Sequence, residues 1–325
     1  MTNTTDDLGI QHGCQNAITA DTTFPRVRLR GLFTARSPIS HIGESVSTTS
    51  YLAQDPIVQP DGSVVEVFSY SGNAWRGQMR DLMARRVAEA VGVRLPIDAF
   101  HLLFSGGRIE SDKGIDLEQI RTLRAALPPL SLLGGGIGSQ MLNGKLRVTN
   151  TYPVCKEAMP VLPPHLHGTA EAIRYGGLTF EKEFSRRDDG RHADGLAWLA
   201  DERVKGKKDG QVADQMRMGA ELVAPGTVLY NEIHGAHLTA VELGCLVLAL
   251  SDFSVSPYIG GQASRGHGLV DISYDMEAPY SDPAFVRVCD SDFIASPFAL
   301  DCMALYLERL AVSQAELREV LKCAA

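Results

Sequence analysis

Apolar and basic residues alternate with period two along "RVRLRGLFTA" (26–35), the spacing of a strand with one face in a core and one in water. The stretch runs into turn-forming "RSPISHIGES". Residues 46–62 are then polar, with Pro56, Pro60 and an Asp61-Gly62 turn, which predicts a long loop within 41–70. "VVEVFSY" (64–70) reads as a short strand. The period changes in "SGNAWRGQMRDLMARRVAEAVGV", where Trp75, Met79, Leu82, Met83, Val87 and Val91 form one apolar stripe at helical spacing. Ser71 or Asn73 can cap that helix, and Arg76 and Arg80, four residues apart, leave it on another face.

Residues 94–143 read as a mostly helical insertion, with "IDLEQIRTLRAAL" its clearest helix. "LLGGGIGSQMLNG" follows, then a strand in "KLRVTNTYPV" (145–154) and a connector marked by Pro160, Pro163 and Pro164. The segment 178–223 is densely charged in both signs, has strand-like ends and has little to bury, which predicts an extended hairpin arm. "GTVLYNEIHGA" is another strand. "LTAVELGCLVLALSDF" is a helix with a capping box, Thr239 to Glu242, and is apolar almost all round. A glycine-rich loop and its strand come next, and a last helix starts at Ser296-Pro297, a cap followed by proline at the first helical position. Without the insertions the order is strand, helix, strand, strand, helix, strand. That order predicts an α+β fold with a ferredoxin-like, RRM-like palm, a helical insertion and a hairpin thumb. Residues 1–23 form a polar leader, and 24–325 a single domain.

Length and composition agree with an ordinary globular chain: 325 residues, 44% hydrophobic and 22% charged. No apolar run is long enough to span a bilayer, and "MTNTTDDLGIQHGCQ" lacks the basic and apolar regions of a signal peptide. The six cysteines (Cys14, Cys155, Cys245, Cys289, Cys302, Cys323) have no C-x-x-C spacing, which predicts free thiols in a reducing cytoplasm. The net charge of −8 argues against an all-over cationic nucleic-acid binder. Its distribution is uneven. Arg26, Arg28, Arg30 and Arg36 carry every charge in their stretch, five arginines lie between 76 and 94, and Asp271, Asp275, Glu277, Asp282, Asp290, Asp292 and Asp301 dominate the C-terminal part. Either one basic groove survives under an acidic total, or these are solvated faces.

In "IGGQASRGHGLV", Gly260, Gly261, Gly266 and Gly268 crowd around Arg265. Glycine is costly to order, so four of them imply close backbone approach or positive φ. One reading is a phosphate site, with anion nests and a bidentate Arg265. The other is a plain helix-to-strand turn. The start of the "SGNAWRG" helix offers unpaired N–H groups to a phosphate, with Gly72 and Gly77 allowing approach and Arg76 and Arg80 supplying charge. "GGGIG" is no dinucleotide fingerprint, since a strand follows it. His165 and His167 with His234 and His237 have no cysteine at ligand spacing, so no metal or other cofactor is expected.

Three stretches in order resemble the RAMP superfamily of CRISPR proteins, most of all the backbone subunit that polymerises along guide RNA, and among those the type IV subunit. They are the basic strand leading into "SPISHIGES", the helix start "YSGNAWRGQMRDLMAR" and the closing "GGQASRGHGLV". "LLGGGIGS…GKLRVTN" sits where the family has a Phe-Gly turn and a strand, with leucine in place of the aromatic. The resemblance covers about 26–275. It implies guide-RNA contacts at His41, Gly72, Asn73, Trp75, Arg76, Arg80, Lys145, Arg147, Gly260, Gly261, Arg265, Gly266 and Gly268. It makes the charged arm a thumb, with Arg186, Arg187, Met216 and Met218 as its working residues. The implied partners are guide RNA, a complementary target DNA or RNA, further copies of the chain and other CRISPR effector subunits, with no membrane. Type III relatives cut target RNA through an aspartate after the His-Ile-Gly turn, with divalent metal. Asp55 in "AQDPIVQPDG" stands in a similar place, with Asp61 nearby. A proline-flanked aspartate is also a common turn former, and the expectation is binding without catalysis.

Overall fold

The computed structural model describes residues 18–107, 117–186, 216–279 and 281–323. In chain order its strands are β1 (Thr23–Ala35), β2 (Ile42–Val46), β3 (Thr49–Leu52), β4 (Gln54–Val58), β5 (Val64–Phe68), β6 (Gly135–Ile137), β7 (Gln140–Leu142) and β8 (Leu146–Val148). They continue with β9 (Tyr152–Pro153), β10 (Thr179–Arg186), β11 (Met216–Val223), β12 (Val228–Thr239), β13 (Val270–Ala278), β14 (Asp282–Cys289) and β15 (Asp292–Ala295). The helices are α1 (Gly72–Val91), α2 (Ile97–Ser105), α3 (Leu117–Ala126), α4 (Pro128–Leu133), α5 (His167–Glu171), α6 (Ala240–Ser254), α7 (Pro297–Val312) and α8 (Gln314–Val320). The fold is α+β.

The main sheet runs β15-β14-β13-β1-β12-β8, antiparallel throughout, with β9 also paired to β12. The period-two alternation of β1 sorts its side chains as expected: Val27, Leu29 and Phe33 are buried, while Arg28 and Arg30 lie on the other face. Helices α1 and α6 cover the buried face. Trp75 of α1 is fully buried, edge-on to Phe33 of β1 and Phe253 of α6. Its indole N–H donates to the Tyr274 hydroxyl at 3.1 Å, and that hydroxyl donates to Asn231 Oδ1 at 3.1 Å. Gly31 leaves the room for this chain, because a Cβ there would collide with Asn231 and Tyr274. α6 begins with the capping box between Thr239 and Glu242, and α7 with the Ser296 cap and Pro297.

Residues 41–70 are not a loop. β2 and β3 form a hairpin that joins β10 and β11 in a second sheet, ordered β10-β11-β3-β2, with β11 parallel to β3. A polar stretch can be a strand when its partner is remote, and this one is completed by residues some 170 positions on, beyond the reach of local periodicity. β4 and β5 form another hairpin, turned at Asp61, whose carboxylate accepts from the Ser63 N–H at 2.9 Å and hydroxyl at 2.7 Å. Its Ile57 and Val67 reach a small second core with Val154, Cys155, Leu162 and Tyr230. The strand expected over 145–154 divides into β8 and β9, because Asn150 between them turns its side chain to the start of α1 and to Asp55. The insertion 94–143 is helical apart from the short β6–β7 hairpin, with 108–116 outside the described residues. The charged arm has strand ends, β10 and β11, paired along their full length, while 187–215 and residues 1–17 of the leader lie outside the described residues.

The two oppositely charged runs of the sequence meet across the main sheet. Arg28 bridges Glu232 of β12 and Glu277 of β13, both at 2.9 Å. Arg30 pairs with Glu277 at 2.8 Å, and Arg36 with Asp271 and Asp290. Arg28, Arg30 and Arg36 are thereby neutralised by their neighbours, which removes these three as the floor of a cationic groove. Among the described residues no helix is long and apolar enough to cross a membrane. Cys155, Cys245, Cys289, Cys302 and Cys323 are free thiols.

Glu232 is the hub of that network. Burial pushes its carboxyl up, but hydrogen bonds from Arg28, Tyr230 and His234 outweigh burial and hold it at about 2, against an ordinary 4.5. A depressed carboxyl contributes stability that is present above about 4.5 and lost as pH falls through about 2. Glu232→Gln is therefore expected to cost about 2 kcal/mol at neutral pH, discounted for solvent screening. It should also flatten the fall in urea midpoint over that acid range, and an unchanged acid profile would remove Glu232 from this role.

Candidate nucleic-acid interface

The first turn of α1 is occupied by the protein itself. Ser71 caps it by accepting from the Asn73 N–H at 3.2 Å, and the Gly72 N–H donates to Asn150 Oδ1 at 2.9 Å. A Cβ on Gly72 would strike the Val148 and Thr149 carbonyls, so this glycine serves helix-on-strand packing. His41 accepts from the Ser71 N–H at 3.4 Å and lies edge-on to Tyr70, and burial lowers its pKa. The helix start is therefore not an open anion site, which corrects the expectation for Gly72. Trp75 is likewise a core residue and presents nothing to a ligand. Asn73 and Gly77 are exposed on the same turns.

Arg76 and Arg80 leave the flank of α1 and cap the end of α4. Both donate to the Leu133 carbonyl, at 2.8 and 3.0 Å, and Arg80 also to that of Gly134 at 3.0 Å. This is where the "LLGGGIG" glycines belong. Gly107, Gly134 and Gly144 have backbone carbonyls where a Cβ would be, so three chain segments touch backbone to backbone beside the two guanidinium groups. The sequence displayed the glycines but not their partners. A cavity of about 620 Å³ opens here, lined by Arg76, Arg80 and Arg147 with Ser105, Asn143 and the glycine backbones. Among the described residues that line it there is no carboxylate. Arg76 Nε is buried without a partner. Burial and then the charge of Arg76 lower the Arg80 pKa, and the opposing pull of Asp81 does not outweigh them. Arg147 is exposed on β8. Such a cavity is complementary to an anion with several acceptor oxygens.

The second cluster lies at the glycine-rich loop. Gly260 (φ 74°) has the Ser40 carbonyl where a Cβ would be, and Gly268 (φ 93°) has that of Ile259. The Gly261 N–H donates to Ser40 at 2.6 Å and the Gly268 N–H to Pro38 at 2.7 Å. The close approach is to the chain's own turn at 38–40, so these three glycines latch the loop to the exit of β1. Gly266 (φ 81°) differs, with nothing near its missing Cβ. Beside it the exposed Arg265 lies over the Phe184 ring at 5.5 Å, with Lys182 over the same ring at 5.3 Å. His267 stands 5.8 Å from that ring, and its Nδ1 is buried without a partner. Burial, then Lys182 and Arg265, lower its pKa. Lys182 and Phe184 were not foreseen, because a charged arm gives no local sign of which residues turn back to the domain.

α1 stands between the two clusters: Arg76 and Arg80 face the cavity, and Gln78 donates to Tyr258, just before the glycine loop, at 2.5 Å. Lys145 belongs to neither, since its ammonium is held by Glu242 at 2.8 Å and the His237 carbonyl at 2.9 Å. Asp55 accepts from Asn150 at 2.9 Å and Tyr152 at 2.8 Å. Burial pushes its carboxyl up, and hydrogen bonds from Ser69, Tyr152 and Asn150 bring it below the ordinary value. Among the described residues no group of three or more His, Cys, Asp or Glu side chains is placed to hold a metal. Met218 is half-buried on β11 opposite Phe184. Arg186 and Met216 end β10 and β11, their side chains outside the description, and Arg187 is outside the described residues.

No family model matches the sequence, and no curated protein does. The fold is similar to that of a chain in a solved structure described as "Type IV-B CRISPR Complex". The TM-score is 0.54 at 20% identity, over 78% of this chain and 91% of that one.

The glycines of the loop make a graded prediction. Gly260→Ala meets both a positive φ and a carbonyl, and is expected to cost about 3 kcal/mol or more. Gly266→Ala meets only the positive φ and should cost about 1–2 kcal/mol. Equal melting temperatures for the two variants would mean that the latch carries no stability.

Proposed function

We propose that the chain is a guide-RNA-binding, non-catalytic backbone subunit of a type IV CRISPR effector complex. The observation that carries the proposal is the cavity beside α1 lined by Arg76, Arg80 and Arg147, with no carboxylate among the described residues that line it. Phosphate contacts supply most of the affinity of a sequence-independent nucleic-acid binder. Two independent features support it. The strands β13-β1-β12-β8, connected through α1 and α6, have the order of a ferredoxin-like palm. The likeness in fold to a chain from a type IV-B CRISPR complex is consistent with that reading.

On this reading Arg265 and Lys182 extend the cationic track on the other side of α1, and the β10–β11 arm is the root of a thumb that reaches a neighbouring copy. An open head-to-tail contact of that kind builds a filament along RNA. The protein holds the backbone of the guide and leaves base edges free, so that pairing reads the DNA or RNA target. Other effector subunits complete the complex. Asp55 we read as a structural acceptor that ties β4 to β9, held there by three side-chain donors.

Arg147→Ala and Arg265→Ala are the clean probes, since neither side chain supports a backbone carbonyl. Each should weaken single-stranded RNA binding regardless of sequence and reduce the salt slope by about 0.7. Arg80→Ala should lower the melting temperature as well, through loss of the α4 cap. Unchanged affinity and slope in both clean variants would reject the cavity and loop as phosphate contacts. The wild-type chain with guide RNA should not cut complementary RNA in magnesium or manganese. Cutting that disappears in Asp55→Asn would establish a ribonuclease instead.

A further inference from the structure

α7 buries Ala299, Cys302, Tyr306 and Leu310 against the rest of the molecule. It sits unusually close to α6, because the carbonyl of Cys302 occupies the space where a Cβ on Gly244 would be. The helix is thus a fixed platform. Its outward face is not polar, as a solvated helix face should be. Leu300, Ala304, Leu307 and Ala311 are all exposed, each leucine retaining 42% of its accessible surface. They follow one another at spacings of four, three and four, so leucines and alanines alternate along a single stripe about 16 Å long. This is the spacing of a helix–helix seam, and the alanines let a second backbone come close. One edge of the stripe carries Asp301 and Glu308, both exposed. The basic residue of the last turns, Arg309, is turned away to Glu316 at 2.9 Å.

We propose that this face docks an amphipathic helix of a partner protein whose apolar seam is flanked by basic residues. The seam spacing specifies a helix, and the acidic edge specifies its charge. The same edge opposes an antiparallel second copy of α7 as occupant, since that pairing would set Asp301 against Glu308, like charges. The inference does not depend on the RNA-binding reading, since no residue of the cavity or the glycine loop takes part.

The test uses the full chain and two synthetic helical peptides of about three heptads with leucine and alanine in the seam positions. One carries lysine at the flanking positions and the other glutamate. Fluorescence anisotropy should show the lysine peptide binding at least tenfold more tightly. Leu300→Lys with Leu307→Lys should abolish binding, and Asp301→Lys with Glu308→Lys should invert the preference toward the glutamate peptide. All four positions are exposed, so both variants should stay folded, with cooperative melting and a wild-type circular dichroism spectrum. Equal binding of the two peptides, binding of neither, or no inversion by the charge-swapped variant would overturn the proposal. So would self-association of the wild-type chain that the double leucine variant abolishes, since a second copy would then be the occupant.

Discussion

The hydrogen-bonded chain from Trp75 through Tyr274 to Asn231 governs what the rest of the molecule can present. All three side chains are buried, so each polar atom in the chain needs its neighbour, and a break would leave an unpaired donor in the core. The chain links α1 to β13 and β12, across β1 at Gly31, and so fixes the rotation of α1 about its own axis. Once Trp75 points into the sheet, the next residue, Arg76, and Arg80 one turn on have one direction left. They meet the end of α4, and the insertion is anchored by them. The cavity is a by-product of this geometry: two guanidinium groups aimed at carbonyls, with Arg76 Nε left over and no carboxylate among the described residues that line it.

Charge compensation decides where a ligand can find unspent cations. Arg28, Arg30, Arg36 and Lys145 look equally available in the sequence, yet each has an acidic partner from a distant strand or helix. Arg86 is likewise taken by Asp252. What remains near α1 is small and local: one cluster beside the helix and one beside the glycine loop. An acidic protein can therefore carry cationic sites without a basic face.

Much of the framework was legible in the sequence because it rests on local patterns. The alternation of β1, the apolar stripe of α1, the capping box of α6 and the Ser-Pro start of α7 depend only on neighbours along the chain, and all stand as read. Of the strands in 41–70 only β5 was legible; β2, β3 and β4 were not, and β3 is completed by β11 of the arm. The glycine loop was half legible. Its need for positive φ and close approach could be inferred, but what it approaches, the carbonyls of Pro38 and Ser40, is a tertiary fact. Trp75 stood in the apolar stripe of α1 while the resemblance made it a guide-RNA contact, and the register of the helix on the sheet decides for the core.

The turn at 38–40 has one further property. Gly261 and Gly268 grip it from one side, while Ile39 exchanges backbone hydrogen bonds with Val223, the last residue of β11, on the other. The root of the arm and the glycine loop are thus pivoted on the same three residues. Neither the root of the arm nor the loop that carries Arg265 can shift against the exit of β1 without breaking hydrogen bonds to these three residues.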